Sequence, residues 1–165
     1  MQYQIRQATP EDADALVRMH TLAHEECYGH LLPPEFFRAR RASIPERVER
    51  RRLHLGSPDP RMIALDYSGE LVGFADSGPG RDQDRPGILE LYSIYTLERT
   101  HGTGLGAALL HATVGDSPGY VWVLEDNPRA QAFYRKNGFR PDGAREQLPP
   151  DWYELPEIRM ARPGG

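Results

Sequence analysis

The chain has 165 residues, 39 % of them apolar and 27 % charged, and a net charge of −4. That length suits a single domain over residues 1–165 with one core, and the charge balance carries no global nucleic-acid signature. One cysteine excludes an intramolecular disulfide framework, and no apolar run approaches the roughly 20 residues of a membrane span or forms a signal core. A cytoplasmic protein without membrane or nucleic-acid partners is expected.

Tyr3 to Ala8 reads as an opening strand. Thr9-Pro10-Glu11-Asp12 supplies an N-cap, a first-turn proline and acidic residues. The amphipathic helix that follows carries Ala13, Leu16, Val17, His20 and Ala23 at helical spacing. Ile44 to Leu55 reads as a second helix. A basic cluster from Arg38 to Arg52, interleaved with Glu46 and Glu49, is expected to form a solvated face laced with ion pairs, with an anion site that attracts an acidic substrate as the alternative. Arg61 to Tyr67 and Glu70 to Asp76 form a hairpin turning at Ser68-Gly69. Gly78 to Gly87, rich in Gly, Pro, Asp and Arg, is expected to be a flexible loop.

The strand Ile88 to Thr96 runs into His101-Gly102-Thr103-Gly104-Leu105-Gly106 and the helix start Ala107-Ala108-Leu109-Leu110. Strand, glycine-rich turn and helix in that order place free backbone N–H groups at the positive end of a helix dipole, a cradle for phosphate. Two familiar phosphate sites fail on spacing. A P-loop closes with Gly-Lys-Ser/Thr, but Lys136 is the only lysine in the chain. A dinucleotide fingerprint belongs to a first βα unit, whereas this turn lies two-thirds along the sequence. Taken alone, glycines at this spacing also suit a plain connection without a ligand.

A second segment sharpens the reading. Tyr120 to Leu124 is a buried strand, followed by Glu125-Asp126-Asn127-Pro128 and a helix from Arg129 to Asn137. Asn127 is its N-cap, Pro128 its first residue, and Gly138 stands just past its end, where Gly138-Phe139 opens another strand. Glu154 to Arg159 reads as a last strand and Pro163 to Gly165 as a frayed tail.

With these residues the chain resembles the GNAT superfamily of acetyl-CoA-dependent N-acetyltransferases. The family places Gln/Arg-x-x-Gly-x-Gly/Ala after a strand, then a strand, an Asn, and a helix carrying Ala-x-x-Phe-Tyr-x-x-x-Gly-Phe. Asn127, Ala130, Phe133, Tyr134, Gly138 and Phe139 match the second part position for position. Tyr28-Gly29-His30-Leu31-Leu32-Pro33 matches a further stretch loosely. The Gln/Arg position is His101, whose neutral imidazole brings one donor and no charge; Arg99 either compensates or simply faces solvent.

The resemblance implies an α/β fold with a mixed, mostly antiparallel sheet, splayed near its middle and flanked by helices on both sides. It implies acetyl-CoA as co-substrate, held by backbone groups of Ile94, Tyr95 and Thr96 and by His101, Gly102, Thr103, Gly104, Leu105, Gly106, Ala107 and Asn127. Tyr134 occupies the family's general-acid position and also borders the cofactor. A phenol of pKa about 10 can protonate a thiolate of pKa about 8.5. Glu90, a carboxylate among Ile88, Leu89, Leu91 and Ile94, is either a base or one half of a structural ion pair. His24, Tyr28 and Glu90 are candidate acceptor contacts, and no metal is expected. A Cys27-based ping-pong route is disfavoured, because the family transfers the acyl group directly. The expected partner is an amine acceptor, with a small molecule preferred over a protein amine. A non-catalytic acyl-CoA sensor is the alternative, and a homodimer is left open.

Overall fold

The computed structural model describes residues 2–164. Its elements run β1 (Gln4–Gln7), α1 (Ala13–Tyr28), α2 (Pro34–Ala42), α3 (Ile44–His54), β2 (Arg61–Leu65), β3 (Leu71–Pro79), β4 (Leu89–Thr96), α4 (Leu105–Val114), β5 (Gly119–Leu124), α5 (Pro128–Lys136), β6 (Arg140–Gln147) and β7 (Pro156–Arg162). The strands form a seven-stranded sheet of order β1-β2-β3-β4-β5-β7-β6. Pairs β1/β2, β2/β3, β5/β7 and β6/β7 are antiparallel and β4/β5 is parallel, so the sheet is mixed and mostly antiparallel as expected. Two compact units divide the chain: residues 1–76 with 94–113, and residues 77–93 with 114–165.

In the first unit, Ile63 and Ala64 of β2, and Val72 and Phe74 of β3, are buried at successive and alternate positions. Successive residues of a strand face opposite ways, so both faces of this part of the sheet are covered. Phe74 meets His20 of α1 at 4.8 Å between ring centroids, while a Cβ on Gly73 would lie 2.9 Å from Leu109 of α4. Helices α1 and α4 therefore cover opposite faces of β3. Leu16, Val17, Val48, Leu97 and Leu105 complete this core. The turn Pro10–Asp12 that leads into α1 is held from both sides: the Asp12 carboxylate accepts from the Thr9 backbone N–H at 2.8 Å, and Asp12 N–H donates to the Thr9 backbone carbonyl at 2.9 Å.

Helix α2 was not legible as such in the sequence. Pro34 sits in its first turn, Glu35 follows, and Phe36 and Phe37 turn inward, a short helix whose brevity hid its periodicity. Ser43 separates it from α3, where Pro45 can only open a new helix.

In the second unit, β5 pairs with β7 from Gly119↔Arg162 to Leu124↔Glu157. The parallel β4/β5 register covers Leu89–Leu91 against Gly119–Val121, and Tyr92 and Ser93 continue β4 beyond it. Strand β7 starts two residues later than the sequence suggests, because Tyr153 and Glu154 adopt left-handed φ values of 57° and 54° and form a turn. The frayed-tail expectation falls partly on Gly165, outside the described residues. Among the described residues no helix is long and apolar enough to cross a membrane.

Candidate functional site

The glycine-rich turn has the backbone its sequence demands. Gly102 and Gly104 hold φ values of 80° and 88°, and nothing lies within 4 Å of where a Cβ would stand on either. Open space beside a left-handed backbone at a helix start is what an anion cradle requires. Helix α4 begins at Leu105, with Ala108 N–H donating to Gly104 O at 3.1 Å, and Leu105 and Leu109 anchor it in the core. The first N–H groups of such a helix lack intrahelical acceptors. Thr103 Oγ1 donates to Thr100 O at 2.6 Å and accepts from the Tyr3 hydroxyl at 3.2 Å, fixing the turn from below. His101 N–H donates to Glu98 O at 3.0 Å. Arg99 is committed elsewhere: it bonds Asp66 at 3.1 Å and Glu70 at 2.9 Å, so it does not stand in for the charge missing at His101.

Ile94, Tyr95 and Thr96 precede this turn. A Cβ on Gly73 would come within 3.1 Å of Thr96 Cγ2 and 3.3 Å of Tyr95 O, so the bare glycine lets the two strands approach here. Tyr95 belongs to a ring cluster with α1. Its hydroxyl lies 2.8 Å from that of Tyr28, and its ring centroid is 4.9 Å from His24 and 5.0 Å from His20. His20 Nε2 and His24 Nε2 are 2.8 Å apart, and Arg40 Nη2 makes a long 3.5 Å contact with His24 Nδ1. Which ring nitrogen donates across the His20–His24 contact depends on the tautomer of each imidazole. Burial, followed by the charges of Arg40 and Arg47, lowers the His24 pKa to about 3. His20 is lowered too, by burial first and then by His24 and nearby arginines. Both imidazoles are neutral at physiological pH. His24 and Tyr28, two of the three expected acceptor contacts, thus share one cluster with Tyr95 of the expected cofactor strand.

The second unit holds Asn127, Tyr134 and Glu90. Asn127 Oδ1 accepts from Ala130 N–H at 3.2 Å, the expected N-cap of α5. The helix ends in a Schellman arrangement: Phe139 N–H donates to Tyr134 O at 3.0 Å and Gly138 N–H to Arg135 O at 3.1 Å, with Gly138 at φ 92°. Tyr134 is buried, its ring edge-on to Phe133 at 5.4 Å and to Phe139 at 5.8 Å.

Glu90 is 2 % exposed. Its Oε2 accepts from Arg81 Nη2 at 2.6 Å. Its Oε1 accepts from Arg81 Nε at 3.2 Å, from Arg81 N–H at 3.1 Å and from the Tyr120 hydroxyl at 3.1 Å. The ion-pair alternative raised by the sequence is therefore present, with three bonds accepted at Oε1 and one at Oε2. The segment expected to be a flexible loop is stitched down. Asp82 accepts from Trp122 Nε1 at 2.9 Å and from Arg159, Asp84 receives two further Arg159 bonds, and Arg85 pairs with Asp142 at 2.7 Å. Sequence reading missed partners that no local pattern announces: Arg81 for Glu90, Arg159 for the loop, and Glu146 opposite Glu157 across β6/β7. It also placed His20 in the core without seeing that the i, i+4 spacing to His24 pairs the two rings.

A mixed sheet covered by helices, with a glycine cradle opening α4 and a capped α5 ending at Gly138-Phe139, defines an acyl-CoA transferase type of fold. The family model described as the acetyltransferase (GNAT) family matches residues 16–139, and the chain belongs to that family. It is 28 % identical over 166 residues to a protein of Bacillus subtilis named an uncharacterised N-acetyltransferase, covering 97 % of this chain and 90 % of that one. An uncharacterised N-acetyltransferase of Mycobacterium tuberculosis is 36 % identical over 98 residues, or 56 % of this chain; the match spans only 60 % of that relative's length. Among solved structures, the PaiA N-acetyltransferase of Thermoplasma acidophilum in complex with coenzyme A shares the fold, with a TM-score of 0.71 at 18 % identity over 99 % of both chains.

Proposed function

We propose that the protein transfers an acetyl group from acetyl-CoA to the primary amine of a small molecule by direct attack. The observation that carries this reading is the turn at Gly102 and Gly104: left-handed glycines beside open space, leading straight into α4. Backbone N–H groups of Gly102 to Ala107 bind the pyrophosphate, Asn127 and the backbone of Ile94, Tyr95 and Thr96 bind the pantetheine arm, and His101 adds a donor. The amine nitrogen attacks the thioester carbonyl carbon, the C–S bond breaks, and the sulfur takes a proton from the Tyr134 hydroxyl. The proton leaving the amine passes to solvent or to Glu90, the latter when the Arg81 side chain, 68 % exposed, swings away.

The test has two readouts. Acetyl-CoA raises the melting temperature, because a ligand specific to the folded state adds RT ln(1 + [L]/Kd), and a panel of amines releases CoA thiol. A shift with ATP or NAD but none with millimolar acetyl-CoA overturns the reading. Binding without thiol release for any amine would make the protein an acyl-CoA sensor.

A further inference from the structure

A cleft of about 440 Å³ opens in the second unit, where β4 and β5 begin and β7 ends. Ile88, Pro118, Pro141 and Pro163 give it apolar walls, and its charged residues are Arg85, Arg140, Arg162 and Asp142. Two of the arginines grip helix ends. Arg162 donates to Gly115 O at 2.8 Å and Ser117 O at 2.9 Å beyond α4, and more weakly to Asn137 O beyond α5 at 3.5 Å. Arg140 uses Nη1 alone, on Arg135 O at 2.7 Å and Phe139 O at 2.8 Å. All of these acceptors are backbone carbonyls, and neither guanidinium takes part in an ion pair among the described residues. Arg85 pairs through Nη2 with Asp142 at 2.7 Å. That carboxylate is shared: Arg159 Nε donates to the same oxygen at 2.6 Å, and Ala144 N–H donates to the other at 3.0 Å. No hydrogen bond among the described residues uses Nε or Nη1 of Arg85, or Nε or Nη2 of Arg140, so most of both forks is left to bind a further acceptor.

We propose that this cleft binds a mononucleotide, with its phosphate on Arg85 and Arg140 and its base against the prolines. Arg140 and Asp142 stand at alternate positions of β6, and Arg85 reaches Asp142, which brings both guanidiniums to one side of the cleft. The charge of Asp142 is offset from beneath by Arg159, which is 5 % exposed and also holds Asp82 and Asp84. A phosphate monoester carries a charge of about −1.5 to −2 and three terminal oxygens, enough for two forks, where a carboxylate serves one. A bare phosphate would leave most of the 440 Å³ unfilled. Proline rings are apolar and bring no N–H, which suits the face of a base, and the volume falls within the roughly 300–1,000 Å³ of small-molecule sites. The cleft is also separate from the acyl-CoA contact proposed for the same unit. It takes in Gly119, the first residue of β5, whereas Asn127 follows the last, and the 6 residues of that strand span roughly 20 Å.

This inference stands apart from the acyl-transfer reading, and its test leaves that reading untouched. The protein, held with excess CoA so that the proposed cradle is filled, is titrated calorimetrically with AMP, GMP, CMP and UMP, each against its nucleoside, and with inorganic phosphate. At least one nucleotide binds 10-fold or more tightly than both its nucleoside and phosphate. Arg140→Gln and Arg85→Gln each weaken that nucleotide by about 10-fold or more and leave CoA affinity unchanged. Arg140→Lys keeps the charge, loses the fork and weakens binding part way, and it serves if Arg140→Gln fails to fold. Nucleoside or phosphate binding as tight as the nucleotide's, nucleotide binding that survives either Gln variant or appears only without CoA, or no nucleotide binding at millimolar concentration overturns the inference.

Discussion

Phe139 donates its backbone N–H to Tyr134 O at 3.0 Å and sets its ring edge-on against the Tyr134 ring at 5.8 Å. One residue pair thus supplies both the terminal hydrogen bond of a Schellman motif and the apolar contact that accompanies it. The spacing Phe-Tyr-x-x-x-Gly-Phe follows from this: Gly138 is the only residue between them that must be left-handed, and Phe139 holds the ring of the proposed acid. Gly138→Ala should cost about 1–2 kcal/mol, since a Cβ at φ 92° is strained; its nearest neighbour would be the flexible Arg162 side chain at 3.2 Å. Phe139→Ala should cost about 3–5 kcal/mol as a buried aromatic truncation. Chemical denaturation checks both, and a wild-type midpoint for Gly138→Ala would remove the Schellman account.

Gly104 carries the cradle. Gly104→Ala strains a backbone held at φ 88° and puts a methyl into the open space beside it. Gly104→Asp adds a carboxylate where the pyrophosphate is proposed to lie. The alanine variant should lower acetyl-CoA affinity and the aspartate variant should abolish the thermal shift, with the unliganded melting temperature falling by only a few degrees in either. Retained affinity in Gly104→Asp would move the anion site elsewhere.

Glu90 and Arg81 separate a base from a strut. Glu90→Gln removes the buried charge that binds Arg81 and the Tyr120 hydroxyl. If Glu90 takes the amine's proton, turnover should fall most at acidic to neutral pH, where the amine is protonated, and recover toward the amine's own pKa. Arg81→Gln should then raise turnover or leave it unchanged, because it frees the carboxylate. If Glu90 is only a strut, both variants lose stability alike and the pH–rate profile keeps its shape. Stopped-time thiol assays across pH 6–9 distinguish these outcomes.

The sequence made the second motif legible because its signals are local: a cap at Asn127, a proline after it and a glycine stop all act within one helix. It made the cradle legible for the same reason. The hidden parts depend on partners far apart in sequence. Nothing near Glu90 announces a ring from Tyr120, and nothing in the Asp-rich loop announces Arg159. Gly73 reads as a weak point in a strand, yet it permits the close approach of Thr96 and Tyr95. Helix α2 was missed because nine residues give too few turns for a period to show. The strand opening after Gly138-Phe139 was legible at its start but not in its extent, because an exposed edge strand containing Pro141 and Gly143 has little alternation. The arginine cluster was legible as charge but not as burial: only packing separates half-buried Arg47, bonded to Ser43, Thr21 and the Arg40 carbonyl, from Arg41 and Arg52, which pair with Glu25 and Glu49.

Stability should fall on both sides of a mildly acidic optimum, for separable reasons. Burial, then the hydrogen bond and charge of Glu146 directly opposite, raise the Glu157 pKa from its ordinary 4.5 to about 8. The folded protein keeps a proton that the unfolded chain releases, so this contribution is full below 4.5 and is lost as pH rises through 8. His24 runs the other way, from 6.5 to about 3, so its contribution is full above 6.5 and is lost as pH falls toward 3. Glu157→Gln and Glu146→Gln should each flatten the alkaline limb and leave the acidic one. Imidazole NMR checks the acidic limb: two of the six histidines should keep neutral shifts at pH 5. An unchanged alkaline limb in Glu157→Gln would show that the facing carboxyls do not share a proton.

Tyr134→Phe isolates the chemical step. The ring keeps its contacts with Phe133 and Phe139, so melting temperature and acetyl-CoA affinity should change little. If the hydroxyl protonates the departing thiolate, turnover with a competent amine should fall by roughly 10²–10³-fold, the scale of a general acid or a single transition-state donor. The loss should appear in kcat rather than in KM, since the hydroxyl acts on charge that develops only as the C–S bond breaks. A better leaving group gives a second reading: with an acyl donor whose thiol has a pKa near 5, the thiolate needs no proton and the variant should recover most of its rate. Full activity of Tyr134→Phe with acetyl-CoA itself would mean that the thiolate leaves unprotonated, or that a different donor serves it.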